Sequence, residues 1–93
     1  MDINERLYVE INPLENGSSP LPHPVRDAHF DTDYVYKVLG MYNPSETSEC
    51  YFILSNTQRQ IWFISQRHLL VYKIINSDEF FLSKEDAQQI PRR

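Results

Sequence analysis

Short apolar runs separated by polar residues follow one another between residues 50 and 75, and this pattern is the strongest structural signal in the chain. Each run is rich in β-branched and aromatic residues and is bounded by polar turn-forming residues, which is typical of β-strands. The runs are Cys50–Leu54, Ile61–Ile64 and Leu69–Ile75. We therefore predict three consecutive strands, joined by a polar hairpin connection at Ser55–Gln60 and by a short link or 3-10 turn at Ser65–His68.

The segment Tyr34–Tyr42 predicts a further strand, because apolar and aromatic side chains fall on both of its faces when every second residue points the same way. Within it, Gly40 indicates a bend, a bulge or a close approach of two backbones. Ser83 and Asp86 have the spacing of a capping box, which predicts a helix start. Shorter elements are therefore expected as strands at Tyr8–Ile11 and Phe80–Leu82 and as one or two helical turns at Lys84–Gln89.

Residues 12–33 form a segment of a different character. Four prolines and the run Asn16–Ser19 disfavour both a helix and a central strand. Prolines at every second position, from Pro20 to Pro24, favour a polyproline II conformation. We predict an N-terminal arm over residues 1–33, which wraps the domain or reaches a partner, ahead of a barrel domain over residues 34–93. The alternative interpretation of the proline-rich part is a mobile insert.

About five short strands with tight links favour a small closed or half-closed barrel over a sandwich. The predicted fold class is therefore mainly β: a small barrel of about five antiparallel strands, a short C-terminal helical turn and a Pro-rich N-terminal arm.

The order Tyr-x-Val-x-Gly, Ser-Glu-Thr-x-Glu and Tyr is carried by Tyr36, Val38, Gly40, Ser45, Glu46, Thr47, Glu49 and Tyr51. It resembles a small uncharacterised bacterial family of SH3-like barrels. Over about Tyr34–Leu70 the chain also resembles the general SH3-like pattern. In that pattern a strand ending in an apolar residue and glycine enters a polar loop, a hairpin follows, and an aromatic-rich strand leads into a short turn. The resemblance implies an SH3-like barrel and brings no activity with it.

Length and cysteine content narrow the class of protein. The 93 residues suffice for one domain. The single cysteine, Cys50, excludes an internal disulfide and suits a reducing compartment. The acidic and polar start of the chain does not resemble a signal peptide. No apolar run approaches the roughly 20 residues that cross a membrane, so a cytoplasmic protein is expected.

The net charge of −4 is unevenly distributed. Residues 1–33 carry seven acidic and two basic side chains, whereas residues 34–76 carry two acidic and four basic ones. No Asp or Glu occurs between Cys50 and Ser77. One interpretation is that the acidic arm lies against a mildly basic core; the other is that the weakly charged segment is simply buried.

Two groups of residues have the chemistry of a reactive site. In an extended chain His29, Asp31 and Asp33 project to one side, and one His with two carboxylates suits a divalent metal; the alternative is a polar loop with Asx turns. Cys50 and His68 are a formal nucleophile and base, but a strand cysteine is usually a small buried hydrophobe. No common catalytic motif is present, so we expect neither an enzyme nor a cofactor.

Tyrosine, tryptophan and arginine are the residues favoured at protein interfaces. We predict a non-catalytic protein-binding module, an adaptor or regulator that uses an aromatic face of the barrel, and homodimerisation through an edge strand is a further option. The alternative is a small barrel that stacks single-stranded nucleic acid on aromatic side chains along a basic groove, with Arg59, Trp62, Arg67 and Lys73 as its contacts. The predicted partner-binding residues are Tyr34, Tyr36, Tyr42, Tyr51, Trp62, Arg59 and Arg67.

Overall fold

A computed structural model describes residues 5–13, 28–44 and 49–89 of the chain. Over these residues seven strands form two antiparallel sheets. The strands are β1 (Glu5–Ile11), β2 (Tyr34–Lys37), β3 (Gly40–Tyr42), β4 (Tyr51–Ser55), β5 (Ile61–Ser65), β6 (Leu69–Asn76) and β7 (Phe81–Ser83). A 3-10 turn at Gln66–His68 follows β5, and helix α1 (Lys84–Gln89) follows β7. The four-stranded sheet has the order β6-β1-β2-β7 and the three-stranded sheet the order β3-β4-β5.

The predicted mainly β fold and the short C-terminal helix are confirmed. The predicted number of about five strands was too low, and over the described residues the two sheets do not close into a barrel. The strand count is higher than predicted mainly because the segment predicted as one strand, Tyr34–Tyr42, is divided between the two sheets. The Val38 N–H still donates to the carbonyl of Leu7 in the four-stranded sheet (2.9 Å). The next N–H, that of Leu39, already donates to Ile53 in the three-stranded sheet (2.8 Å).

Gly40 lies just after this crossing and begins β3. A Cβ at this position would lie 3.3 Å from Cδ1 of Ile53, which is tighter than an ordinary contact. The close neighbour of Gly40 is a side chain, so this contact is not the predicted approach of two backbones, and the chain passes from one sheet to the other at Val38 and Leu39.

β1 is longer than the predicted Tyr8–Ile11 strand and lies inside a sheet. It pairs with β2 on one side and with β6 on the other, where Tyr72 is an extra residue opposite the Tyr8–Val9 step. Residues 5–11 are therefore part of the same sheet as β2, although they were predicted within the arm. The proline-rich part of that arm, residues 14–27, lies outside the described residues.

The four-stranded sheet has a core on each face because successive residues of a strand point to opposite sides. The main core lies between the two sheets and is built from Val9, Ile11, Ala28, Phe30, Tyr36, Leu54 and Ile64. A smaller core on the other face contains Tyr8, Val35, Ile75 and Ala87. Ala87 is the buried residue of α1, so this short helix covers the second face.

Helix α1 is held by its first turn. The Asp86 N–H donates to the hydroxyl of Ser83 (3.1 Å), as the capping-box spacing predicts. The ammonium group of Lys84 donates to the carboxylate of Glu10 in β1 (2.9 Å), which ties the helix to the sheet. No helix in residues 5–13, 28–44 or 49–89 is both long and apolar enough to cross a membrane.

The β4–β5 hairpin turn predicts one stabilising substitution. Arg59 is exposed and has a φ of 63°, a left-handed conformation that costs a non-glycine residue about 1–2 kcal/mol. After allowance for the greater freedom of glycine in the unfolded chain, Arg59→Gly should raise the free energy of unfolding by about 0.5–1 kcal/mol. Urea denaturation measures the change. Gln58→Gly is the matched control, because Gln58 is exposed in the same turn without a positive φ, and it should destabilise the fold; equal effects would contradict the prediction.

Candidate protein-binding surface

The three-stranded sheet has one face on the main core and one facing away from it. Leu54 of β4 and Ile64 of β5 belong to the core, so side chains of the opposite parity point outward. The register pairs Tyr42 with Tyr51 and Ile53 with Phe63 on that outward side. We call this surface the outer face and define it by Tyr42, Tyr51, Ile53, Ile61 and Phe63.

The outer face is apolar although much of it is open to solvent. Tyr42, Ile61 and Phe63 are 51%, 54% and 53% exposed, and Tyr51 and Ile53 are half-buried. The rings of Tyr42 and Phe63 meet edge to face across β4, with their centroids 5.8 Å apart. An antiparallel sheet with one solvated face normally carries polar residues there. Exposed apolar patches are one of the features by which interaction sites are recognised.

A polar cluster borders the outer face at the Tyr51 end. The hydroxyl of Ser65, which is opposite Tyr51 in the ladder, donates a hydrogen bond to the carboxylate of Glu49. The guanidinium of Arg67 lies 3.5 Å from the same carboxylate. Arg67, one of the predicted contacts, is therefore at the rim of the surface and forms an ion pair there. Exposed pairs of this kind contribute little to stability.

The same polar cluster borders a groove of about 400 Å³ that is lined by both sheets. Val9, Phe52, Leu69 and Val71 provide its apolar lining, and Glu49, Gln66 and Arg67 provide its polar lining. Glu49 and Arg67 therefore border both the outer face and the groove.

The remaining predicted contacts lie elsewhere. Tyr36 is fully buried in the main core, and Tyr34 packs against Tyr36 and Phe81 in the four-stranded sheet. Neither belongs to the outer face, because the chain changes sheet between them and Tyr42. Trp62 lies on the core-facing side at the start of β5 and is 38% exposed. Arg59 is exposed in the hairpin turn.

Sequence reasoning missed three residues of the outer face: Ile53, Ile61 and Phe63. Their alternation with Leu54, Trp62 and Ile64 is visible in the sequence. Which of these two alternating sets faces the core depends on two things: the register between β4 and β5, and the side on which the four-stranded sheet packs. That second sheet is formed by distant parts of the chain, so the local pattern leaves the choice open.

The predicted metal residues form a turn. The Asp33 N–H donates to Oδ1 of Asp31 (2.8 Å), which is the Asx turn of the alternative interpretation. His29 has a φ of 59°, so the chain here is not extended as the metal hypothesis requires. Across residues 5–13, 28–44 and 49–89, no three His, Cys, Asp or Glu side chains gather in a way that could hold a metal ion.

The other candidate chemistry is dispersed. Cys50 is buried just before β4, and the ring of His68 accepts a hydrogen bond from Nε of Arg67 (3.5 Å). Arg59 and Arg67 lie beyond opposite ends of β5, and the Lys73 ammonium group lies over the ring of Tyr72 in the other sheet, 5.3 Å from the ring centroid. These bases do not line one groove, as a single-strand binding site requires.

Comparisons of this chain with protein-family models, curated proteins and solved structures found no match. The case for a binding surface therefore rests on the geometry of the outer face: its exposure, its apolar composition and its polar rim.

Proposed function

We propose that this chain is a non-catalytic protein-binding module, a small adaptor or regulator that binds its partner on the outer face. The observation that carries the proposal is the exposure of Tyr42, Ile61 and Phe63, each about half open to solvent on an uncharged sheet face. Aromatic side chains supply large contact areas at interfaces. The ion pair of Glu49 and Arg67 at the edge resembles the polar rim that surrounds the apolar centre of an interface.

We further propose that the domain is related to SH3-like barrels. Three features support this: the strand that divides into β2 and β3 beside Gly40, the β4–β5 hairpin, and the 3-10 turn after the aromatic strand β5. Each corresponds to a part of the pattern that the sequence resembles. Nucleic-acid binding has less support, because Arg59 and Arg67 lie beyond opposite ends of β5 and the chain carries a net charge of −4.

The proposed function predicts that Tyr42→Ala weakens partner binding by at least about tenfold, as expected for an aromatic hot spot. The fold should be retained, because Tyr42 is half exposed at the end of a three-residue strand. Immobilised wild-type and variant proteins are compared for the proteins they retain from extract of the native cell, followed by titration with the purified partner.

The matched control is Phe80→Ala. Phe80 is also an exposed aromatic residue, but it lies before β7 of the other sheet, where the ammonium group of Lys37 is 5.0 Å from its ring centroid. The control should bind the partner as the wild-type protein does. If Tyr42→Ala and Phe80→Ala bind equally, or if retention depends steeply on salt and is lost after nuclease treatment, the protein-binding proposal is wrong.

A further inference from the structure

Two hydrogen bonds show which backbone N–H and C=O groups of β5 point away from the sheet. Over the described residues β5 is an edge strand, with β4 on one side. The Asn56 N–H donates to the backbone carbonyl of Gln60 (3.0 Å), and the Gln66 N–H donates to the backbone carbonyl of Cys50 (2.9 Å). These bonds continue the β4–β5 register at its two ends. Because bonded and non-bonded pairs alternate along an antiparallel ladder, Trp62 and Ile64 bond to β4. The odd-numbered residues Ile61, Phe63 and Ser65 direct their N–H and C=O groups away from the sheet.

Over the residues that the structure describes, β5 lacks the features of sequence and length that normally protect a sheet edge. Proteins protect edges with very short strands, bulges, prolines or charges, particularly lysine. β3 and β7 have only three residues each, and β6 contains Lys73 and an extra residue at Tyr72. β5 has five residues in unbroken register and contains no charge, proline or glycine. It is the edge best suited to accept another strand.

We infer that β5 pairs antiparallel with β5 of a second copy of this chain, about a twofold axis at Phe63. In this register Phe63 lies opposite its own copy and Ile61 opposite Ser65. All three outward-facing residues then form bonded pairs, whereas moving the axis by one residue to Trp62 or Ile64 leaves only two such pairs. The edge is therefore self-complementary. The inference concerns the backbone edge of β5 and does not depend on the proposed function of the outer face.

β5 itself adds no charge to the contact between two copies. Each copy carries a net charge of −4, so two copies repel one another overall. β5 lies in the stretch from Cys50 to Ser77, which contains no Asp or Glu, and the side chains of β5 are uncharged. Approach through β5 therefore brings together the part of the chain with the fewest negative charges. The half-exposed side chains of Ile61 and Phe63 add apolar contact to the backbone bonds.

The area involved indicates a weak dimer. An aromatic side chain can bury about 150–250 Å², so half-exposed Phe63 and Ile61 from two copies offer on the order of 400 Å² of apolar side-chain surface. Stable interfaces bury about 1,200–2,000 Å² in total. We therefore expect a concentration-dependent dimer with a dissociation constant on the order of 10–100 µM.

Hydrogen exchange of the wild-type protein tests the pairing directly. Between about 5 µM and about 1 mM protein, exchange of the Ile61 and Phe63 amides should slow about five- to ninefold as these amides become bonded. The amides of Trp62 and Ile64 are an internal control, because they bond to β4 in monomer and dimer alike. Sedimentation over the same range should show the change of mass. A protein that remains monomeric at about 1 mM, or a dimer with unchanged exchange at Ile61 and Phe63, overturns the inference.

A pair of variants separates the backbone contribution from the side-chain contribution. Phe63→Pro removes the outward N–H and leaves the β4 ladder bonds in place, which an edge strand tolerates; it should raise the dissociation constant at least about tenfold relative to Phe63→Ala, which keeps that N–H. A folded Phe63→Pro protein that dimerises as well as Phe63→Ala overturns the inference, and if it fails to fold the wild-type exchange decides. Dimerisation is measured on the purified protein alone, and partner binding is measured by comparing Tyr42→Ala with Phe80→Ala, so failure here and failure of partner binding are distinguishable.

Discussion

Replacing Asn56 by alanine should lower the free energy of unfolding by about 3 kcal/mol, because the side chain makes four buried or partly buried hydrogen bonds. Asn56 is fully buried at the start of the hairpin turn. Its Oδ1 atom accepts from the N–H groups of Gln58 and Gln60, each at 2.9 Å. Its Nδ2 atom donates to the carbonyl of Ala28 and to Oε1 of Gln60, also at 2.9 Å.

The bond to Ala28 gives this residue a role beyond its own turn. Ala28 is buried in the main core, in the segment that precedes β2. Asn56 therefore joins the β4–β5 hairpin to a part of the chain 28 residues away. Alanine at this position would leave a buried carbonyl group without that partner, at a cost of about 1–3 kcal/mol for the unsatisfied group.

Urea denaturation of Asn56→Ala measures this loss. Thr57→Ala is the matched control, since Thr57 is exposed in the same turn, and surface substitutions usually stay within about 0.5 kcal/mol. Asn56→Asp keeps the acceptor oxygen and removes the two donated bonds. A loss of unfolding free energy in this variant therefore reports on the bonds to Ala28 and Gln60. A loss below about 1 kcal/mol for Asn56→Ala would contradict the assigned network.

The local strand pattern predicted much of the fold, because each of β4, β5 and β6 is short, apolar and bounded by polar residues. The predicted strand, Tyr8–Ile11, is shorter than β1 for a physical reason. Its apolar residues alternate with Arg6 and Glu10, which weaken the signal of a buried strand. In the folded chain Glu10 pairs with Lys84, 74 residues away, so the strand is central in its sheet despite its charges. Such a distant partner is not visible in a local pattern.

The candidate surface was predicted in part. Tyr42 and Tyr51 lie on the outer face as the aromatic hypothesis proposes, and they are opposite one another in the β3–β4 ladder. Tyr36 has the same parity as Tyr42 within the predicted strand, yet it is fully buried. The difference arises at Val38 and Leu39, where hydrogen bonding passes from Leu7 to Ile53. The location of that crossing depends on two other strands, so residue type and alternation alone do not reveal it.

The burial of Tyr36 makes the stability of the fold sensitive to high pH. Removal from water raises the pKa of the Tyr36 hydroxyl from its ordinary value of 10.0 to about 12, even though the Asp31 N–H donates to its oxygen (2.8 Å) and acts in the opposite direction. Between about pH 10 and about pH 12 the unfolded chain loses the proton of the Tyr36 hydroxyl, whereas the folded chain retains it. The stabilisation is thus complete below about pH 10 and is lost as the pH rises through about 12. Burial raises the pKa of Tyr8 as well, so Tyr8 acts in the same direction.

We therefore expect the free energy of unfolding to fall by about 2 kcal/mol between about pH 9 and about pH 12 through Tyr36 alone. Tyr36→Phe should cost about 1 kcal/mol at neutral pH, because the Asp31 N–H loses its acceptor, and should make the alkaline decline shallower by about that 2 kcal/mol. Urea denaturation of both proteins across this pH range measures the two slopes, and all other titrating groups are common to both. Parallel declines in the wild-type and Tyr36→Phe proteins would show that Tyr36 ionises equally easily in the folded and unfolded states.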